Sequence, residues 1–305
     1  MRLKSIALPA VLLTAAAVMA LSGQTPSRGG PQRIAGGPFE ASAVVSVAGG
    51  HGVLVADDDN YTELIWMALD ERGRQQGRTE RVPTGTTLVD PEGMTSDGVH
   101  VYVVGSQSKP NGAQGDGLMR FTFDANQRRI VERASVRNLK AFLAARVPEL
   151  AGVNPNRGTD EELNIEGLAW DPAASRLLLG LRAPVVNGQA LVIPLKLRDP
   201  EGPFAADNLV VDGAAIRLPL GGAGIRSLEY DAASGAFWVI TGASLNDEIE
   251  EFRLLEWRTV AGAHQFAEIA RYPRRLKPEG ITRATLDQLR PRVIVFDIGL
   301  YTSID

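Results

Sequence analysis

Three times the chain places a glutamate before glycine at the opening of an apolar segment: Asp90-Pro91-Glu92-Gly93, Asn164-Ile165-Glu166-Gly167 and Lys277-Pro278-Glu279-Gly280. A fourth copy, Ser227-Leu228-Glu229-Tyr230, keeps the glutamate without the glycine. Carboxylates that meet in space repel one another unless a cation or arginines offset them, or some hold protons. Ligation by oxygen alone suits a hard ion, and Ca2+, with its flexible oxygen shell, fits better than Mg2+. Glu92, Glu166, Glu279 and Asp57 are the candidate metal ligands. Glu92, Glu166, Glu229, Glu279 and Arg182 are the candidate ligand-binding set. Arg226 is a second cation that could neutralise the carboxylates or, with Arg182, capture an anion through bidentate bonds. The run Asp57-Asp58-Asp59-Asn60 is a further calcium candidate without the EF-hand loop pattern. The structural alternative is that Glu-Gly suits the turn into a strand, the glutamate bonding neighbouring backbone amides.

Short runs dense in Val, Leu, Ile and aromatics must position these carboxylates. They begin at residues 53, 101, 177, 237 and 293 and are bounded by Gly, Asp, Asn and Ser, which is strand signalling. Their spacing is that of propeller blades, about 40 to 50 residues each, with insertions. Apolar residues at 139, 142, 143 and 147, ahead of Pro148, predict an inserted helix over residues 138–147. No helix is signalled between the other strands, so a parallel α/β fold is excluded. The expectation is an all-β propeller of five or six blades, a sixth falling between residues 201 and 221. Consecutive strands of a blade run antiparallel. The first-strand starts with Glu92, Glu166, Glu229 and Glu279 should therefore meet the second-strand ends with Asp57, Ser106, Arg182, Thr241 and Asp297 at one end of the channel.

Arg2 and Lys4 precede an apolar stretch ending in Val18-Met19-Ala20, the layout of a secretory signal peptide over residues 1–20. Residues 21–37, rich in Gly, Pro, Ser and Gln, read as a flexible leader, and residues 38–305 as the propeller domain. Periplasmic or secreted location follows, with no membrane span after cleavage. The chain has 36 Asp and Glu against 32 Lys and Arg, so there is no basic stripe for nucleic acid. It contains no cysteine, which removes thiolate metal sites and thiol nucleophiles and leaves an exported domain to be held by its core. The three histidines, His51, His100 and His264, are not spaced as a zinc pair. No Gly-x-Ser-x-Gly elbow marks a serine hydrolase.

At 90–94, 164–171, 179–182 and 277–282 the chain resembles an uncharacterised bacterial family, domain of unknown function 3616, over about residues 38 to 299. More distantly, the Pro-Glu-Gly openings are similar to phytase-related esterase-like propellers, and the channel carboxylates to those of calcium-dependent lactonase propellers. The family carries no established activity. The distant likeness implies a metal-dependent hydrolase of a phosphoester, ester or lactone. A monomeric propeller binding a small ligand or Ca2+ without turnover is the other expectation. The first blade departs from the pattern, with Ser42-Ala43-Val44 where a glutamate would fall.

Overall fold

The computed structural model describes residues 30–36, 40–47, 49, 51–110, 115–159, 162–245, 251–284 and 290–304. The signal-peptide reading of residues 1–20 lies outside the described residues. Five antiparallel sheets form five blades. Their innermost strands, in chain order, are Ala41–Val47, Pro91–Ser96, Asn164–Asp171, Gly224–Asp231 and Pro278–Arg283. Each packs against the inner strands of both neighbouring blades, so the ring is closed. The region 201–221 is no sixth blade. Leu209–Val211 and Ile216–Leu218 both pair with the long third strand Ala190–Leu197 of blade three, sharing its edge end to end.

The ring is closed by pairing of strands from opposite ends of the sequence. Blade five takes its outermost strand from Gln32–Arg33, which pair with Tyr301 and Leu300. Ile34 follows, buried against Val53, Val55 and Val293. Residues 32–34, within the segment read as a leader, pair and pack with blade five. A strand that caps the last blade removes an open sheet edge.

Why the second strands read as unbroken apolar runs is now plain. Both faces of a blade are covered, so alternate residues enter different cores. Val53 and Val55 pack toward blade five, whereas Leu54 and Ala56 pack toward blade two. The core is five such layers, one between each pair of adjacent blades.

The inserted helix spans Leu139–Ala144 and lays Leu139, Phe142 and Leu143 on the layer between blades two and three. It is shorter than its apolar stripe suggests. Val147 is extended because the residue before a proline avoids the helical region, and a single 3-10 turn, Pro148–Leu150, follows. No helix among the described residues is long and apolar enough to cross a membrane.

One irregularity recurs in every blade. The innermost strand pair slips register between Ala41 and Ala43, Pro91 and Gly93, Ile165 and Gly167, Ile225 and Ser227, and Pro278 and Gly280, and in blade three a second slip, between Asn164 and Ile165, leaves Arg182 of the partner strand unpaired. Each slip is a bulge that leaves one residue unpaired and re-aims its side chain. The residue after it must be small because the next blade is in contact. A Cβ on Gly93 would lie 2.8 Å from Leu168 Cβ, and one on Gly280 would lie 2.8 Å from the Val44 backbone nitrogen. Gly280→Ala should therefore destabilise by about 1–3 kcal/mol through overpacking. Urea unfolding measures this, and an unchanged midpoint would refute the close-approach account of the Glu-Gly motif.

Candidate functional site

The five bulged residues are Ser42, Glu92, Glu166, Arg226 and Glu279. The register puts Arg226, not Glu229, at the position of the three motif glutamates. The sequence carries the signal in the residues that follow: Leu168-Ala169-Trp170-Asp171 aligns with Leu228-Glu229-Tyr230-Asp231. Matching glutamate to glutamate shifted the fourth copy by three residues.

Arg226 stands inside the carboxylate ring. Its Nη2 donates to Glu279 Oε1, and its Nη1 donates to Glu166 Oε1 at 3.3 Å. Its Nε approaches Glu166 Oε2 at 2.9 Å, a charge contact without hydrogen-bond alignment. Arg182, at the end of a second strand, donates from Nη1 to Glu166 Oε1 at 3.0 Å and from Nε to the Ala243 carbonyl at 3.2 Å. Burial opposes the charge on Arg226, yet Glu166 and Glu279 hold its pKa above the ordinary arginine value. Burial raises the Glu279 carboxyl to about 8 while the Arg226 charge pulls against it. Glu166 and Glu279 are thereby committed to guanidinium groups.

Glu92 is not so held. It is 7% exposed, and its Oε2 is buried without a hydrogen-bond partner. Burial first, then the charges of Glu166 and Glu279, push its carboxyl well above the usual range. Beside it lie Asp58 and Asp90, and one oxygen of each of the three falls within 4.8 Å of the others. Asp58 Oδ1 is also buried without a hydrogen-bond partner. Burial and the charges of Glu40, Asp90 and Asp297 push the Asp58 carboxyl up to about 7. Asp58 also belongs to a second cluster with Glu40 and Asp297, where Lys277 pairs with Asp297.

Asp90 takes a left-handed backbone (φ 56°) ahead of Pro91, a conformation aspartate tolerates better than most residues. It is fixed there. Ser106 donates its hydroxyl to Asp90 Oδ2 and its amide to the Asp90 carbonyl, and Lys109 Nζ lies 3.7 Å from Oδ1. Asp57 does a different job. Its Oδ1 accepts the amides of Asp59 and Glu40, fixing the turn, so Asp58 and not Asp57 joins Glu92.

Glu229 sits one layer down the channel, three residues beyond the bulge. It accepts the hydroxyls of Thr95 at 3.2 Å and Thr282 at 3.3 Å, the residues at the same depth in blades two and five. Burial pushes its carboxyl up to about 8. The structure therefore brings Glu92, Glu166, Glu279 and Arg182 to the mouth with Arg226, and leaves Glu229 below them. Asp90 carries no separate signal in the sequence, since its place in the cluster comes from the left-handed turn ahead of Pro91.

The chain belongs to the family described as "Protein of unknown function (DUF3616)", whose model matches residues 123–297. Among solved structures the chain is similar to a putative gluconolactonase, at 14% identity over 93% of this chain and 96% of that one (TM-score 0.41). It is also similar to the RRP9 WD40 repeats, at 11% identity over 92% and 99% (TM-score 0.44). The likeness to Kuenenia stuttgartiensis hydrazine synthase has 9% identity and a TM-score of 0.37, covering 87% of this chain and 65% of that chain's length. At these identities the likenesses concern the fold alone. No curated protein matches the chain.

Removing the Arg226 guanidinium leaves the buried Glu279 without its arginine and Glu166 with Arg182 alone. Arg226→Gln should cost roughly 3–5 kcal/mol in urea unfolding, and a loss below that of an exposed pair would refute the central role. Arg182 is more open than Arg226, at 18% against 11% side-chain exposure, and its loss leaves Glu166 with Arg226, so Arg182→Gln should cost less, about 1 kcal/mol. Glu229 gives a pH signature. Its folded pKa of about 8 lies above the ordinary 4.5, so its contribution to stability is complete below pH 4.5 and lost as pH rises through about 8. Glu229→Gln should therefore flatten the fall of the melting temperature across that window and exceed wild type above it. Parallel melting curves for the two proteins would contradict the assignment.

Proposed function

We propose that the protein is a Ca2+-binding propeller whose channel mouth holds the ion through Asp58, Asp90 and Glu92. The ion's remaining positions take an oxygen-bearing small ligand. The observation that carries this reading is the buried, unpartnered Oε2 of Glu92 facing two further carboxylates. Two oxygens on one Ca2+, each about 2.4 Å from it, lie at most about 5 Å apart, and the cluster meets that limit. Three carboxylates with Lys109 beside one of them present two net negative charges when ionised, which a divalent ion balances. The donor set is oxygen only, as a hard ion requires.

Binding is favoured over hydrolysis by what surrounds the cluster. A metal-assisted hydrolase of a phosphoester, ester or lactone would use an unligated carboxylate as base. Glu166 and Glu279, the other glutamates of the ring, are both engaged by arginines, and Asp297 beside Asp58 is engaged by Lys277. Export, which the first twenty residues suggest, would suit such a site, since extracellular calcium modules work at about 0.1 to 1 mM.

Calcium titration followed by thermal melting tests the proposal, because a ligand bound only by the native state must raise the melting temperature. Millimolar Ca2+ should stabilise the wild type and Asp57→Asn, and should fail to stabilise Glu92→Gln. An unmoved wild type, or a full shift in Glu92→Gln, overturns the reading.

A further inference from the structure

A second site lies on the opposite face, independent of the cation cluster. A cavity of about 190 Å3 opens between blades two and three, beyond the far ends of their inner strands. Its walls are aromatic. Tyr102 and Trp170 lie nearly parallel, with centroids 6.0 Å apart, and Phe204 meets Tyr102 at 5.9 Å and a 60° tilt. Leu177 and Leu195 complete the apolar lining. Phe204 arrives on the connection between Leu197 and Leu209, and this loop is stitched in place. Asn208 donates Nδ2 to the carbonyls of Asp199 and Pro203 and accepts the Asp199 amide on Oδ1. The walls are therefore set before any ligand arrives.

The charges around the cavity do not cancel evenly. Asp97 is saturated: it accepts the amides of Val99 and His100 and the Tyr102 hydroxyl, and faces His100 Nδ1 at 3.1 Å. Lys196 is paired with Asp212 at 2.5 Å. Arg120 differs. Its guanidinium lies over the Phe204 ring at 4.8 Å, and its Nε is buried without a hydrogen-bond partner. Among the described residues, no carboxylate forms an ion pair with it.

We infer that this cavity binds a monocyclic aromatic carboxylate, its ring among Tyr102, Trp170 and Phe204 and its carboxylate on Arg120. An arginine against an aromatic ring, with donors to spare, matches a carboxylate bidentately. The ring packs against its aromatic walls by offset or edge contacts. Size sets the limit to one ring, since benzene occupies an apolar cavity of roughly 150 Å3.

Isothermal titration of the full chain with benzoate as probe, and benzyl alcohol as its neutral counterpart, tests the assignment. Benzoate should bind saturably at one site and more tightly than benzyl alcohol. Arg120→Gln should weaken benzoate by at least about tenfold and leave benzyl alcohol unchanged. Trp170→Leu should weaken both. Arg120→Lys keeps the charge without the planar fork, and should give an intermediate loss even if the glutamine variant does not fold. Absence of benzoate binding at millimolar concentration overturns the inference, as does equal affinity for the two probes. Unchanged benzoate affinity in either Arg120 variant does so too.

Discussion

Everything at the channel mouth depends on one constraint: five bulges aim five side chains at a common axis, and their charges must balance there. Like carboxylates in a dry ring cannot all stay ionised. The chain solves this with three glutamates, one serine and one arginine. Ser42 adds no charge, its hydroxyl being given to the Pro91 carbonyl. Arg226, in blade four, bridges Glu166 and Glu279 of the two adjacent blades. The repeat is fivefold in backbone and asymmetric in charge.

That asymmetry decides where chemistry is open. A buried ion network with its partners in place is a structural device of modest net stabilisation, and costly only when broken. Glu92 stands outside the network on the side of blade one, where the turn after Asp57 brings Asp58 in and the left-handed Asp90 brings a third carboxylate. The mouth thus divides into a neutralised half, held by Arg226 and Arg182, and an acidic half without equivalent compensation.

The architecture was legible in the sequence because burial on both faces writes strands as continuous apolar runs, and turn residues punctuate them. Blade number was ambiguous for a local reason: 209–211 and 216–218 look like strands of a new blade, and only pairing shows them sharing Ala190–Leu197. The closure by Gln32–Arg33 was hidden because a two-residue strand in a Gly- and Pro-rich segment has no periodicity to read. At the site, Glu92, Glu166, Glu279 and Arg182 were readable as a register. Arg226 was not, because residue type was matched where strand position should have been. Leu228 and Asp231 fix that position, as Leu168 and Asp171 do in blade three.

A propeller offers the same groove and the same channel position five times, so a function must be marked by departures from the repeat. Here the departures fall in two places. One is the mouth, where serine and arginine replace glutamate and Glu229 enters a layer otherwise occupied by Val45, Thr95, Ala169 and Thr282. The other is the seam between blades two and three, where an inserted helix, the loop carrying Phe204 and an arginine with no carboxylate partner among the described residues coincide. The inserted helix is held by Lys140, bonded to the Arg157 carbonyl, and the Phe204 loop by Asn208. Loops fixed in this way on a rigid scaffold are where binding residues gather.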